Sequence, residues 1–530
     1  MGFQAKPRPR AIPRIFALLV LLSISPSAWC LASPLHEADI ATLQAEMEAG
    51  RLSSHELVEH FLRRIDAFDR HGPTLNSVIE LNPDALAIAD RLDAERREHG
   101  PRSVMHGIPI LLKDNIDTAD RMHTSAGSLA LMNDRPSEDA YIVQRLRDAG
   151  AVILGKTNLS EWANFRSSRS SSGWSGRGGQ TLNPYAPARS PCGSSSGSGV
   201  AVAAGFAVVA IGTETDGSIV CPSSVNGIVG IKPTIGLVSR RGIVPISASQ
   251  DTAGPMARSV ADAAIVLAAI AGPDPGDTAT QLLNQRAIPD YPGLLKGNHA
   301  LRGARIGVAR DLAGFHEGVD AVFEQAIVAL RAAGAVIVDP ANLDLDERIG
   351  DDEFTVLLYE FKDGLANYLQ TRPDAPQNLG ALIAYNRSHP QQEMPYFRQE
   401  LFLAAEEKGN LETPEYLEAK SRAQRLAGAD GIDAVIREHR LDALIAPTVG
   451  AAWTIDLVNG DHYPGGSAST APAVSGYPHI TVPAGYLHGL PIGISFFGPA
   501  WSEPSLLQFA NDYQHRANVR QAPMLLVPAP

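Results

Sequence analysis

Cysteine and lysine are the scarce residues of this 530-residue chain. Three cysteines, Cys30, Cys192 and Cys221, are too few for a disulfide scaffold. Cys192 and Cys221 can pair in an oxidising compartment or stay as buried free thiols, and the sequence leaves both readings open. No concentrated basic face occurs, the net charge is −13 and the pI is near 5.6, which excludes a nucleic-acid partner held through its phosphates. Aromatic residues make up 6%, yet 44% of the chain is hydrophobic and 19% charged, so disorder is excluded as well. No repeat of solenoid period is present. The Gly-rich stretches lack the Lys-Ser/Thr ending of a phosphate-binding loop, and no G-x-S-x-G surrounds a candidate serine.

At the N-terminus, Lys6, Arg8, Arg10 and Arg14 precede the apolar run 15–24, and Ser25, Pro26, Ser27 and Ala28 follow it. A basic region, a short apolar region and a small-residue exit make a secretory signal, shorter than a membrane span of about 20 residues. The expectation is a signal peptide over 1–32 and a catalytic domain over 33–530. The protein is then periplasmic or secreted, with no stable membrane association after cleavage.

Ser53 and Glu56 have capping-box spacing ahead of Leu57, Val58, Phe61, Leu62 and Ile65, which predicts an amphipathic helix. Helices are predicted over 85–97, 141–149, 260–271 and 319–333, and strands over 151–154, 305–309 and 335–338. This alternation predicts an α/β fold, one large domain with a mixed central β-sheet flanked by helices. Residues 167–198 have the Ser/Gly composition of a linker but run directly into the apolar stretch 200–211, which places them in a core. Residues 344–418 read as a peripheral, helical insertion shaping an entrance.

The lysines bear most on chemistry. Eight stand against 37 arginines. Arginine cannot give up its proton in a protein, whereas a desolvated lysine can become a base near neutral pH. Lys113 ends the apolar run 108–112; a pairing with Asp114 or Asp117 at a strand end is the bland reading, and Lys156 and Lys232 compete for the role of base. Among the serines, Ser218 follows Gly217 in GTETDGSI, a turn whose N–H groups can point at an oxyanion. His55 and His60 in HELVEH are five residues apart and diverge around a helix, so no metal site is expected there.

HGIPILLKDNIDT, GKTNLSEWANFR, PCGSSSGSG, GTETDGSI, GIKPTIGLVSRRGIVPISASQDTAGPMARSV and PAVSGYPHITVPAG occur in this order. Together they resemble the amidase signature family over nearly the whole mature chain, with the nearest likeness to bacterial peptide amidases, which release ammonia from C-terminal carboxamides of peptides. The resemblance implies a catalytic lysine at Lys113, a bridging serine at Ser194 after a cis peptide bond, and a nucleophile at Ser218. It implies an oxyanion hole from the backbone of Thr215, Asp216, Gly217 and Ser218, a small-molecule or peptide amide as substrate, and no metal or organic cofactor. Many members read Gly-Gly-Ser-Ile-Arg at the nucleophile; Asp216 and Val220 depart from this, as in the peptide-amidase subgroup. A broad aliphatic or aryl amidase is the alternative, and the A-type subunit of an amidotransferase a weaker one.

Overall fold

Ser53 closes a reciprocal capping box with Glu56, each accepting from the other's backbone N–H, at the start of the helix Ser54–Arg64. Leu57, Val58 and Phe61 on its inner stripe are buried, as the helical spacing predicts. The computed structural model describes residues 1–4, 34–297 and 299–525, so most of the signal peptide expected over 1–32 lies outside the described residues. Contacts divide the chain into residues 1–35 and 36–530, and every strand belongs to the second unit. Of the first, only residues 1–4 and 34–35 are described. Among the described residues, no helix is long and apolar enough to cross a membrane.

The strands are β1 (Val78–Leu81), β2 (Pro109–Lys113), β3 (Val152–Thr157), β4 (Trp174–Ser175), β5 (Gly179–Gln180), β6 (Val209–Glu214), β7 (Val229–Lys232), β8 (Thr252–Ala257), β9 (Arg305–Val308), β10 (Val336–Val338), β11 (Ala443–Pro447), β12 (His479–Leu487) and β13 (Leu490–Phe497). All but the β4–β5 ribbon join one eleven-stranded sheet in the order β1-β3-β2-β6-β8-β7-β12-β13-β11-β9-β10. The pairs β3–β2, β2–β6, β11–β9 and β9–β10 are parallel and the others antiparallel. Helices Ser196–Ala203, Val260–Ile270, Glu317–Ala332 and Glu503–Ala517 pack against it. This is the single α/β domain with a mixed, helix-flanked sheet that the alternation predicts. Strands β2, β3, β6, β7 and β8 are buried along their whole length. Hence they read as runs of apolar and small residues rather than as alternation.

The serine-rich stretch is core: Ser171, Ser172, Ser175, Ser190, Ser194, Ser195, Ser196 and Ser198 are buried. The insertion is less peripheral than its polarity suggests. Phe361, Leu365 and Leu369 on the helix Arg348–Leu369 share an apolar cluster with Trp162, Phe165 and Ile246. Its outer face supplies much of the polar composition, while its inner face packs into this cluster.

Candidate active site

Strand β2 delivers Lys113 to a place with no solvent exposure, beside Thr213 on the parallel neighbour β6. The Lys113 Nζ lies 2.7 Å from Ser194 Oγ, 2.8 Å from Thr213 Oγ1 and 3.2 Å from the Thr213 carbonyl. Burial pulls its pKa down to about 7, against the opposing pull of Asp251 and Glu214. Neither sequence neighbour is its partner. Asp114 takes the Ser125 hydroxyl and faces Arg177, while Asp117 accepts from Tyr368 at 2.9 Å.

The Gly193–Ser194 peptide bond is cis. Ser195, the next residue, donates its N–H to the Ser218 carbonyl at 3.1 Å, which brings the two serine-bearing loops together. The Ser218 hydroxyl forms no hydrogen bond among the described residues, so it is not joined to Ser194 in this state. Hydrogen bonds of this kind are often long without substrate and tighten when it binds. Gly217 has φ +75°, the conformation that its lack of a Cβ allows at the turn. Among the described residues, the N–H groups of Asp216, Gly217 and Ser218 meet no acceptor, whereas those of Ile219 and Val220 bond Glu214 Oε2 at 2.7 and 2.9 Å. Thr215 lies at the start of this loop, with its hydroxyl donating to Asp251 at 2.6 Å.

A cavity of about 360 Å³ opens over this loop, lined by Gly193, Asp216, Gly217, Trp453, Asp461 and Tyr463 among others. Cys192 and Cys221 are bonded to each other in its wall, which resolves the alternatives left open by the sequence. Glu353, from the insertion, reaches the carboxyl of Asp216, and burial raises both pKa values.

The competing lysines lie elsewhere. Lys156 Nζ donates to the Ile116 carbonyl at 2.6 Å and to Thr124 at 2.8 Å, and Lys232 Nζ donates to the Tyr477 carbonyl at 2.7 Å. Among the described residues, neither lysine donates to a serine. His55 bonds Asp90 while His60 stacks on His36, so the two histidines of HELVEH part as the helix geometry requires. Thr213 and Asn115 stand inside quoted motifs, but their service to Lys113 is not visible there. Asp251 also stands inside a quoted motif without its part being visible there, whereas Glu353 and Asp461 carry no local pattern that marks them.

The Amidase family model matches residues 56–507. The native peptide amidase from Stenotrophomonas maltophilia is 56% identical with a TM-score of 0.89, covering 93% of this chain and 99% of its own. A structure of the peptide amidase PAM with the competitive inhibitor chymostatin is likewise 56% identical, with a TM-score of 0.89 over 92% of this chain and 99% of its own. An Arabidopsis thaliana protein named as a probable amidase is 40% identical over 505 residues, 93% of this chain and 92% of the relative. On its fold and on these likenesses, the chain belongs to the amidase signature family and is an amidase, a hydrolase.

Proposed function

We propose that this amidase hydrolyses carboxamides, chiefly C-terminal amides of peptides, to carboxylate and ammonia through an acyl-enzyme on Ser218. The carrying observation is the 2.7 Å contact between the buried Lys113 amine and the Ser194 hydroxyl. An uncharged amine has two N–H groups and one lone pair. Thr213 offers two acceptors, its hydroxyl and its carbonyl, which leaves the lone pair for Ser194.

Substrate binding brings the Ser218 oxygen to the amide carbon. As that bond forms, the Ser218 proton passes to Ser194 and the Ser194 proton to Lys113. The oxyanion meets the open N–H groups of the loop 215–218, each good donor contributing about 3 to 4 kcal/mol. The relay then runs backwards. Lys113 reprotonates Ser194, whose proton passes to the nitrogen, and the C–N bond breaks as ammonia leaves. Water attacks the ester by the same route and frees the acid. No step draws on a metal or organic cofactor.

The peptide assignment is supported by likeness to the two peptide-amidase structures. Ammonia release from a panel of peptide amides, acetamide and benzamide tests it. Peptide amides are expected to be turned over fastest, and faster turnover of the simple amides would establish a broad amidase instead. The Cys192–Cys221 bond supports maturation in an oxidising compartment, with a signal over 1–32 removed and the domain 33–530 released to the periplasm or outside. N-terminal sequencing of protein from that fraction is the check.

A further inference from the structure

The geometry points to a second subsite beside the catalytic cavity, one that takes an acidic side chain a few residues upstream of the amide, with Arg189 as the residue that reads it. This rests on the peptide-amide reading above and adds to it a sequence preference away from the scissile bond.

A cavity of about 470 Å³ adjoins the catalytic one, lined by Arg189, His316, Trp453, Asp456, His462 and Pro464 among others. Trp453 belongs to both walls. Between the two runs the segment 461–464, whose residues alternate: Asp461 and Tyr463 border the catalytic cavity, His462 and Pro464 the outer one. Side chains of extended chain point to opposite sides in turn, so this partition is a single strand of chain thick. The facing wall is continuous as well, since Arg189 borders the outer cavity while Cys192 and Gly193, shortly after it in sequence, border the catalytic one. Hydrogen bonds fix the arrangement. The Ser190 N–H donates to the Trp453 carbonyl at 2.7 Å and the Ile455 N–H to the Ala188 carbonyl at 3.1 Å, while Asp461 accepts from the Trp453 indole at 2.9 Å and the Ser172 hydroxyl at 2.5 Å. A peptide whose last carbonyl lies at the Ser218 turn has only this thin partition to cross, and each extended residue carries it about 3.4 Å further.

The outer cavity offers donors. Arg189 gives one N–H to the Ala452 carbonyl at 3.2 Å and, among the described residues, forms no ion pair. His316 Nδ1 accepts from the Gly318 N–H at 3.0 Å, so the ring proton sits on Nε2, which has no partner among the described residues. The one acid named in this lining, Asp456, serves its own loop. It accepts from the Val458 and Asn459 N–H groups at 2.9 Å each and from the Asn459 side-chain amide at 2.8 Å, with His462 at 3.7 Å. A guanidinium without a counter-ion, beside an open imidazole N–H, suits a carboxylate, which accepts from both.

N-acetyl tetrapeptide amides of alanine ending in leucinamide, with Glu or Gln placed second, third or fourth from the amide, probe the subsite. Values of kcat/KM are taken at pH 8, where an ordinary imidazole is neutral and the arginine carries the charge. The expected result is a preference for Glu over Gln of at least about threefold at one or more of these positions, the size of a partly exposed ion pair, shrinking as salt rises from about 0.01 to 0.5 M. Arg189→Gln is expected to collapse that preference and Arg189→Lys to keep part of it, each read as a ratio within the variant so that a general loss of rate cancels. Equal turnover of the Glu and Gln peptides at every position, a salt-independent ratio in the wild type, or a ratio unchanged in Arg189→Gln would overturn the inference. If Arg189→Gln does not fold, the wild-type ratios and their salt dependence decide. No hydrolysis of any of these peptide amides would instead refute the peptide-amide reading, so the two failures are distinguishable.

Discussion

Asn115 Nδ2 and Lys113 Nζ donate to the same atom, the Thr213 hydroxyl oxygen, at 3.0 and 2.8 Å. The hydroxyl is thereby held by two donors at once, and the lysine is turned so that its remaining valence faces Ser194.

Thr213→Val removes this anchor while keeping the volume of the side chain. Misplacing a reacting group by a fraction of its contact distance costs up to about a hundredfold in rate, so kcat is expected to fall by about 10- to 100-fold with little change in KM. Steady-state kinetics on a peptide amide give the answer. A KM effect alone would move Thr213 from orienting the base to binding substrate.

Ser218→Ala and Ser194→Ala test the relay at its other end. Loss of a nucleophile costs at least about 10⁴-fold in kcat, and with coupled residues the double variant is expected to be little worse than Ser218→Ala alone. Quenched-flow mass spectrometry is expected to find an acyl group on Ser218 in the wild type and none in Ser218→Ala. Turnover retained in that variant would exclude Ser218 as nucleophile.

The pH profile follows from the sign of the Lys113 shift. Burial depresses the pKa to about 7, and only the uncharged amine can accept a proton. Below about pH 7 the base is blocked, so kcat/KM is expected to rise through neutrality and level off above it. Asp251 and Glu214 hold the pKa up, so Asp251→Asn is expected to move the acid limb to lower pH. Lys113→Arg, charged at every accessible pH, is expected to be inactive throughout.

The Cys192–Cys221 bond spans a sequence separation of 29. In the chain-entropy treatment, a loop of this size contributes about 3 to 4 kcal/mol. Reduction, or the Cys192→Ser/Cys221→Ser pair, is expected to lower the denaturation midpoint. Because the bond ties the Ser194 loop to the helix Val220–Val225 that follows Ser218, kcat is also expected to drop under conditions where the protein remains folded. Circular dichroism beside activity, with and without dithiothreitol, separates the two effects.

Much of the fold was legible because its signals are local. The Ser53–Glu56 box and the apolar runs of β3 and β9 depend on neighbours a few residues apart. The scarcity of lysine narrowed the base to Lys113, Lys156 and Lys232, and the resemblance of the motif around Lys113 to the amidase signature family, not composition, chose among them. The polar insertion was harder to place, since only its inner face, with Phe361 and Leu365, enters the core. Glu353 could not be foreseen at all. Its meeting with Asp216 joins residues from a distant helix and a turn, and nothing near either one marks the other. The choice between paired and free cysteines likewise needed the approach of two loops in space.

The helix Arg348–Leu369 reaches Asp216 through Glu353, and its Glu360 accepts from Ser247 and Ser249 at 2.5 Å, yet it supplies none of the contacts to Lys113. Among the described residues, the Lys113 contacts are thus made without this arm, which instead borders the loop that carries both Asp216 and Ser218. Exchanging the arm for that of another family member is therefore expected to disturb the nucleophile's turn from outside while the base keeps its anchors.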